Sequence, residues 1–305
     1  MSVAEPQKFD PVTGLPVNSV DVPLAESAIP SESISADDYH AMPGVSNTKL
    51  CDFIDDPRLY WWKYLSGEYV KEPKAHFDFG SAVHDVALLS DSSGIVVIPK
   101  ASLSSDGKKA GNAWKDFAAA NAGKILFKQA EYDSVMRCVD AIYRHPIAGE
   151  LLRAEGPCEK LFTYEDPRGL TLRTRPDKIA YWNGRTIVPD IKTTTDTSPG
   201  AFVKAIANNR YHFQKYFYEK VLANCPEQIV VDAFIFVAVN KEQPHFVDCY
   251  MIDDEFMDFA RQAVEDGLDR LAVRTRNNDW LPQAATSIVK LSPPNYLKFA
   301  SEYQV

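Results

Sequence analysis

The sequence predicts a mixed α/β layer fold, with helices first, a sheet in the middle of the chain and further helices after it. Three observations carry this. Apolar residues recur at helical spacing from about residue 46 to 145. Short runs of period 2, rich in Thr, Val, Ile and aromatics and separated by turn residues, fill 158–191. A Ser-Pro helix start at Ser198 is followed by an apolar run over 229–239. Elements in that order bury a central sheet between helical layers.

Residues 1–43 are rich in Pro, Ser and Val and lack periodicity, which predicts a flexible or extended arm, or a peptide that docks on a partner. The arm is acidic: Asp10, Asp21, Glu26, Glu32, Asp37 and Asp38 stand against Lys8. Ser46 is a plausible N-cap for a helix over 47–54. Asp55, Asp56 and Pro57 interrupt it, and a second helix from Pro57 carries Tyr60, Trp61, Trp62, Tyr64 and Leu65. That aromatic cluster reads either as core packing or as a surface that stacks nucleic-acid ends.

An apolar helix is expected over 79–89, with His84 and Asp85 in it, and two more within 108–145. Ser198 and Pro199 open a helix expected to continue to about residue 222. A buried strand over 229–239 and a partner near 245–250 follow. Asp253 then caps a long final helix with Phe256, Phe259, Ala263, Leu268 and Leu271 on its apolar side.

The 305 residues suffice for one elaborated domain, expected over 44–275, with 276–305 as an extension packed on it. No run approaches the roughly 20 apolar residues of a membrane helix, and the N-terminus has no signal-peptide pattern, so a cytoplasmic protein without membrane contact is expected. Five scattered cysteines, Cys51, Cys138, Cys158, Cys225 and Cys249, lack CxxC pairing and suit a reducing compartment. A net charge of -9 counts against a nucleic-acid partner unless basic residues gather locally.

Asn183-Gly184 between two strand-like runs is a strong hairpin signal, since both residues tolerate positive φ. A two-residue turn places Trp182 opposite Arg185, Ile179 opposite Val188 and Asp177 opposite Asp190. Opposed carboxylates destabilise a sheet unless a cation lies between them. Period 2 puts Lys192 on the face of Asp190 and Arg175 on the face of Asp177. Two hard oxygen ligands beside a lysine suit Mg²⁺ bound to phosphate. The competing reading is a solvated edge strand whose aspartates pair with Arg175 and Lys192, and a bulge at Pro189 would shift the register.

The segment Arg175-Pro176-Asp177, followed by Val188-Pro189-Asp190-Ile191-Lys192, resembles the PD-(D/E)xK nuclease signature, and residues 44–275 look like the RecE-type exonucleases of that superfamily. The resemblance implies a restriction-endonuclease-like fold, a central mixed sheet flanked by helices. It implies that His84, within Phe79-Gly80-Ser81-Ala82-Val83-His84, lines a metal site, that Glu159 is an accessory ligand, and that the Ile191 carbonyl joins Asp177 and Asp190 as a metal ligand. Gln214 and Tyr218 match the QxxxY motif, whose i,i+4 spacing puts both on one helix face. Lys192 would orient the attacking water, and Arg173, Arg175 and Lys178 would touch DNA phosphates.

The same resemblance implies one or two Mg²⁺ ions, with Mn²⁺ as substitute. It also implies processive 5′-to-3′ degradation of linear double-stranded DNA from its ends, a single-strand annealing recombinase as partner, and a ring-shaped trimer or tetramer. Alternatives are a RecB-like or Cas4-like nuclease of other polarity or strand preference, and an inactive DNA-binding scaffold. Cas4-like proteins carry cysteines for an iron-sulfur cluster, and no closely spaced set occurs here.

Overall fold

The computed structural model describes residues 39, 42–70, 75–282, 285 and 287–292. Most of the acidic arm expected over 1–43, and much of the extension expected over 276–305, lies outside the described residues. The chain divides into two compact units, Met1–Asn47 with Glu72–Val264 and Thr48–Lys71 with Glu265–Val305.

In the first unit, helix α3 (Ala75–Leu89) is followed by strand β1 (Ile95–Val97), helix α4 (Asn112–Ala120), strand β2 (Ile125–Phe127) and helices α5 (Gln129–Arg144) and α6 (Ala148–Arg153). Strands β3 (Phe162–Asp166), β4 (Leu170–Thr174), β5 (Ala180–Trp182) and β6 (Arg185–Thr194) come next. Helices α7 (Pro199–Asn208) and α8 (Tyr211–Asn224), strands β7 (Ala233–Asn240) and β8 (Val247–Tyr250), and the start of helix α9 (Asp254–Asn277) complete it. The short parallel pair β1–β2 and helix α6 are additions to the sequence reading.

The central sheet has the order β5-β6-β7-β8 and is mixed: β6 and β7 are parallel, the other pairs antiparallel. A parallel pair needs a crossover, which α7 and α8 supply. Strand β7 is buried from Ala233 to Val239, as a strand covered on both faces must be. One face packs Ile187, Ile191, Ile235 and Val237 against Val83, Val135, Cys138, Ile142 and Leu151 of α3, α5 and α6. The other carries Phe234 and Phe236 under Phe202, Tyr211 and Tyr218 of α7 and α8. The predicted fold class is the observed one.

One local expectation changes. The helix opened by Ser198-Pro199 stops at Asn208, because the Asn209 side chain and backbone N–H both return to the Ala205 carbonyl and Arg210 turns left-handed at φ +56°.

The second unit holds helix α1 (Asn47–Asp55) from Thr48 onward, α2 (Pro57–Tyr64) and the part of α9 from Glu265. Asp56 caps α2 by accepting from Arg58 N at 2.8 Å, with Pro57 at the first helical position. The aromatic cluster divides. Tyr60 stacks on Trp280 at 5.5 Å and Tyr64 donates to Asp52 at 2.6 Å, whereas Trp61, Trp62 and Leu65 are exposed. No described helix is long and apolar enough to cross a membrane.

Candidate metal centre

The site begins at the Asn183-Gly184 turn, where both residues have positive φ as the hairpin requires. Pairs Trp182–Arg185, Tyr181–Thr186 and Ala180–Ile187 form in the predicted register, and there the ladder ends. In an antiparallel ladder only alternate pairs exchange hydrogen bonds. The next exchanging pair after Ala180–Ile187 would be Lys178–Pro189, and Pro189 has no N–H to offer. Asp177 and Asp190 are therefore not the direct cross-strand neighbours expected from turn arithmetic.

What replaces that pairing builds the centre. On the edge away from β6, residues 177–181 run against 155–159: Ile179 N donates to Pro157 O at 2.9 Å, Tyr181 N to Glu155 O at 2.8 Å and Glu159 N to Asp177 O at 3.1 Å. The edge of β6 beyond Pro189 is left open, and Ile191 presents both its N–H and its C=O there. The N–H donates to Asp177 Oδ2 at 2.7 Å, and the carbonyl oxygen lies 2.9 Å from His84 Nε2. His84 Nδ1 stands 3.3 Å from the same Asp177 Oδ2. Gly80, one turn earlier on α3, lets the helix approach β6 closely, since a Cβ there would lie 3.3 Å from Thr193 Oγ1.

Period 2 holds for the other half of the signature. Lys192 Nζ is 2.6 Å from Asp190 Oδ2, and Gln214 joins them by donating to Asp190 Oδ1 at 2.8 Å and accepting from Lys192 Nζ at 2.9 Å. Tyr218 lies one turn along α8 from Gln214, and burial raises its phenol well above the ordinary value. Sequence reading missed Tyr211, whose ring centroid lies 4.7 Å from Lys192 Nζ. Its position three residues before Gln214 on one helix was the available signal, but the expected uninterrupted helix hid that start.

Of the three basic residues expected at phosphates, Arg175 pairs with Glu159, NH1 to Oε2 at 2.5 Å. Arg173 is corrected: 1 % exposed, it donates to the carbonyls of Tyr39 and Met42 at 2.6 and 3.1 Å and lies under the Tyr39 ring. It anchors the segment before Val45 to β4. Lys178 is corrected as well, because its buried ammonium faces the Gly156 carbonyl at 3.4 Å and Cys158 Sγ at 3.6 Å. A buried ammonium turned to an internal carbonyl and a thiol points away from solvent.

The electrostatics follow from burial. Desolvation pushes Glu159 up, Asp177 adds to that, and Arg175 opposes it. Burial likewise raises Asp190 in spite of Lys192. Asp177 goes the other way: burial would raise it, but His84, Lys192 and the Ile191 N–H hold it down. Burial alone would lower His84, yet Asp177 and then Asp190 drive it up to about 9. Three carboxylates share one low-dielectric space with Arg175, Lys192 and His84, and desolvation still raises Glu159 and Asp190.

A divalent cation among these carboxylates would stabilise their charged forms. Glu159 Oε2 and Asp190 Oδ2 are buried oxygens that accept no well-aligned hydrogen bond, although a cationic side chain stands beside each. Among the described residues, ligand atoms of His84, Glu159 and Asp177 all lie within 4.8 Å of one another. Two carboxylates, an imidazole and a neighbouring backbone carbonyl fit a hard or borderline divalent ion.

Residues 53–287 match the family described as a PDDEXK-like domain of unknown function (DUF3799). Among solved structures, a protein of Eubacterium rectale designated a candidate exonuclease superposes with TM-score 0.55 at 14% identity, over 88% of this chain and 99% of its own. At that identity the likeness bears on the fold alone. An alkaline exonuclease of Laribacter hongkongensis aligns over 65% of this chain and 97% of its own at 15% identity, with a TM-score of 0.27 that is too low to bear even on the fold. No curated protein matches the chain. With the family match covering most of the sequence and the open-edged β6 carrying the signature residues, the chain belongs to the PDDEXK-like family and has its restriction-endonuclease-like fold.

Proposed function

We propose that this protein is a Mg²⁺-dependent deoxyribonuclease of the RecE type, hydrolysing linear double-stranded DNA from its ends. The observation that carries the proposal is the open edge of β6, where His84, Glu159, Asp177 and the Ile191 carbonyl converge beside the Asp190–Lys192–Gln214 network. Asp177, Asp190, Glu159, His84 and the Ile191 carbonyl would hold one or two ions, Mn²⁺ replacing Mg²⁺. A bound divalent ion supplies a water of lowered pKa and offsets charge on the phosphoryl oxygens. Lys192, fixed by Asp190 and Gln214, orients the attacking water or the phosphate oxygen next to it. Gln214 and Tyr218 keep that lysine and Asp190 in register. Arg175 is the basic residue best placed to exchange Glu159 for a phosphate.

The RecE-type resemblance extends the proposal to processive 5′-to-3′ digestion that leaves 3′ single strands, to an annealing recombinase as partner and to a closed ring of three or four copies. Digestion of end-labelled linear, nicked and closed circular DNA with Mg²⁺, beside Asp190→Ala and Lys192→Ala, tests the core of it. Linear DNA should shorten from labelled ends, and both variants should be inactive. Cleavage of the closed circle would exclude strict end dependence, and full activity in both variants would exclude the site. Solution mass reads the oligomeric state.

A further inference from the structure

We propose that Tyr211 is a positioning residue for Lys192, its ring face holding the lysine ammonium in place over Asp190. The proposal rests on the reading of Lys192 given above, and Tyr211 lies outside the signature residues on which that reading was built.

The Lys192 ammonium has three N–H donors on a flexible four-carbon stem. Gln214 Oε1 at 2.9 Å accepts from one, and Asp190 Oδ2 at 2.6 Å forms an ion pair without hydrogen-bond alignment. Neither contact stops the stem from swinging about Asp190. The Tyr211 ring, 4.7 Å from Nζ to centroid, supplies the third restraint. A π face attracts a cation through its quadrupole without presenting a lone pair that competes for a donor, so an N–H stays available for a water or phosphate oxygen. Only 14% of the Lys192 side chain is exposed, so water screens the attraction little.

The surroundings hold this ring still. Tyr211 stacks on Phe236 of β7 at 5.9 Å and 29° and packs on Phe202 of α7 at 6.3 Å. The backbone is arranged to start a helix at this residue. Arg210, immediately before it, is held in the left-handed region at φ +56°, a conformation a non-glycine residue keeps only where its surroundings impose it. The new helix sets Tyr211 and Gln214 at i and i+3, so both reach the same ammonium. Core packing alone would be satisfied by any apolar side chain of similar size and requires no cation over the ring face.

The full-length protein labelled with ¹³C-lysine reads the contact directly, with Lys192→Arg assigning the signal. The Lys192 ε-methylene should be shifted upfield by the ring current in the wild type and in Tyr211→Phe, and should return to the ordinary lysine position in Tyr211→Leu. Replacing Tyr211 by phenylalanine and by di- and trifluorinated phenylalanines reads the consequence. The kcat for linear duplex digestion should fall stepwise with fluorination, about tenfold over the series. KM for DNA, the Mg²⁺ dependence and the thermal midpoint should stay level, which a packing role would not predict. A wild-type Lys192 signal at the ordinary position, or a fluorinated series flat in kcat, would overturn the proposal. Full activity in Lys192→Ala would instead refute the reading of Lys192 as a catalytic group, a separate failure, because the lysine signal still decides the contact.

Discussion

Gly156→Ala would test how the site is assembled. Gly156 sits at φ +129°, a region closed to residues with a Cβ, in the segment that pairs with residues 177–181 on the edge away from β6. An added Cβ would overlap the Ile179 carbonyl oxygen and lie 3.0 Å from its carbon and 3.4 Å from Tyr181 Cδ2. The nearest atoms are backbone, so neither strand can yield without moving. Forcing the backbone conformation costs about 1–3 kcal/mol, and the overlap about another 1–3 kcal/mol. Together they make about 2–6 kcal/mol, a large part of the ~5–15 kcal/mol that holds a typical domain folded. The strands that must separate carry Glu159 and Asp177, so metal affinity should fall with stability.

Urea unfolding should show the lowered midpoint, and Mg²⁺ titration by calorimetry the weakened binding. Gly200→Ala is the internal control, because Gly200 lies in α7 where an added Cβ would meet nothing within 4 Å, and the change should gain roughly 0.5–1 kcal/mol from helix preference. A Gly156→Ala protein that unfolds at the wild-type urea concentration would refute the reasoning.

Other expected outcomes follow from the same contacts. Gln214→Leu removes hydrogen bonds from two charged groups at once, Asp190 and Lys192, and should lower stability by about 2–4 kcal/mol; unchanged urea midpoint and nuclease rate would sink that view of the network. Mg²⁺ at roughly 100 times its dissociation constant should stabilise the wild type by about 2.7 kcal/mol, and Asp177→Asn should abolish the gain in a thermal-shift assay, whereas a gain that survives would place the ion elsewhere. Arg173→Met strips donors from the carbonyls of Tyr39 and Met42 and should cost about 2–4 kcal/mol. Because Arg173 is internal, its loss should leave the salt dependence of DNA binding as in the wild type, and a slope reduced by about one would restore it to the phosphate contacts.

Much of the chemistry was legible in the chain because it is local. Asn183-Gly184 fixed a turn, the turn fixed the first three pairs, and alternation along β6 placed Asp190 and Lys192 together. The helix carrying His84 and the fold class were readable for the same reason, since period 3.6 and period 2 are properties of neighbouring residues. Charge misled where it was read without burial: Arg173 and Lys178 look like surface cations in sequence and are internal struts in the structure.

The residues alone determined that a strand would present an aspartate and a lysine on one face beside a proline that cannot pair. Only the tertiary structure decided what fills the edge that the proline opens. Asp177 turns its carboxylate to the Ile191 amide while residues 155–159 hold its strand from the far edge, and α3 brings His84 to the Ile191 carbonyl from more than a hundred positions away. Such partners are chosen by competition among distant segments for unsatisfied backbone groups, and no window of neighbouring residues contains that competition.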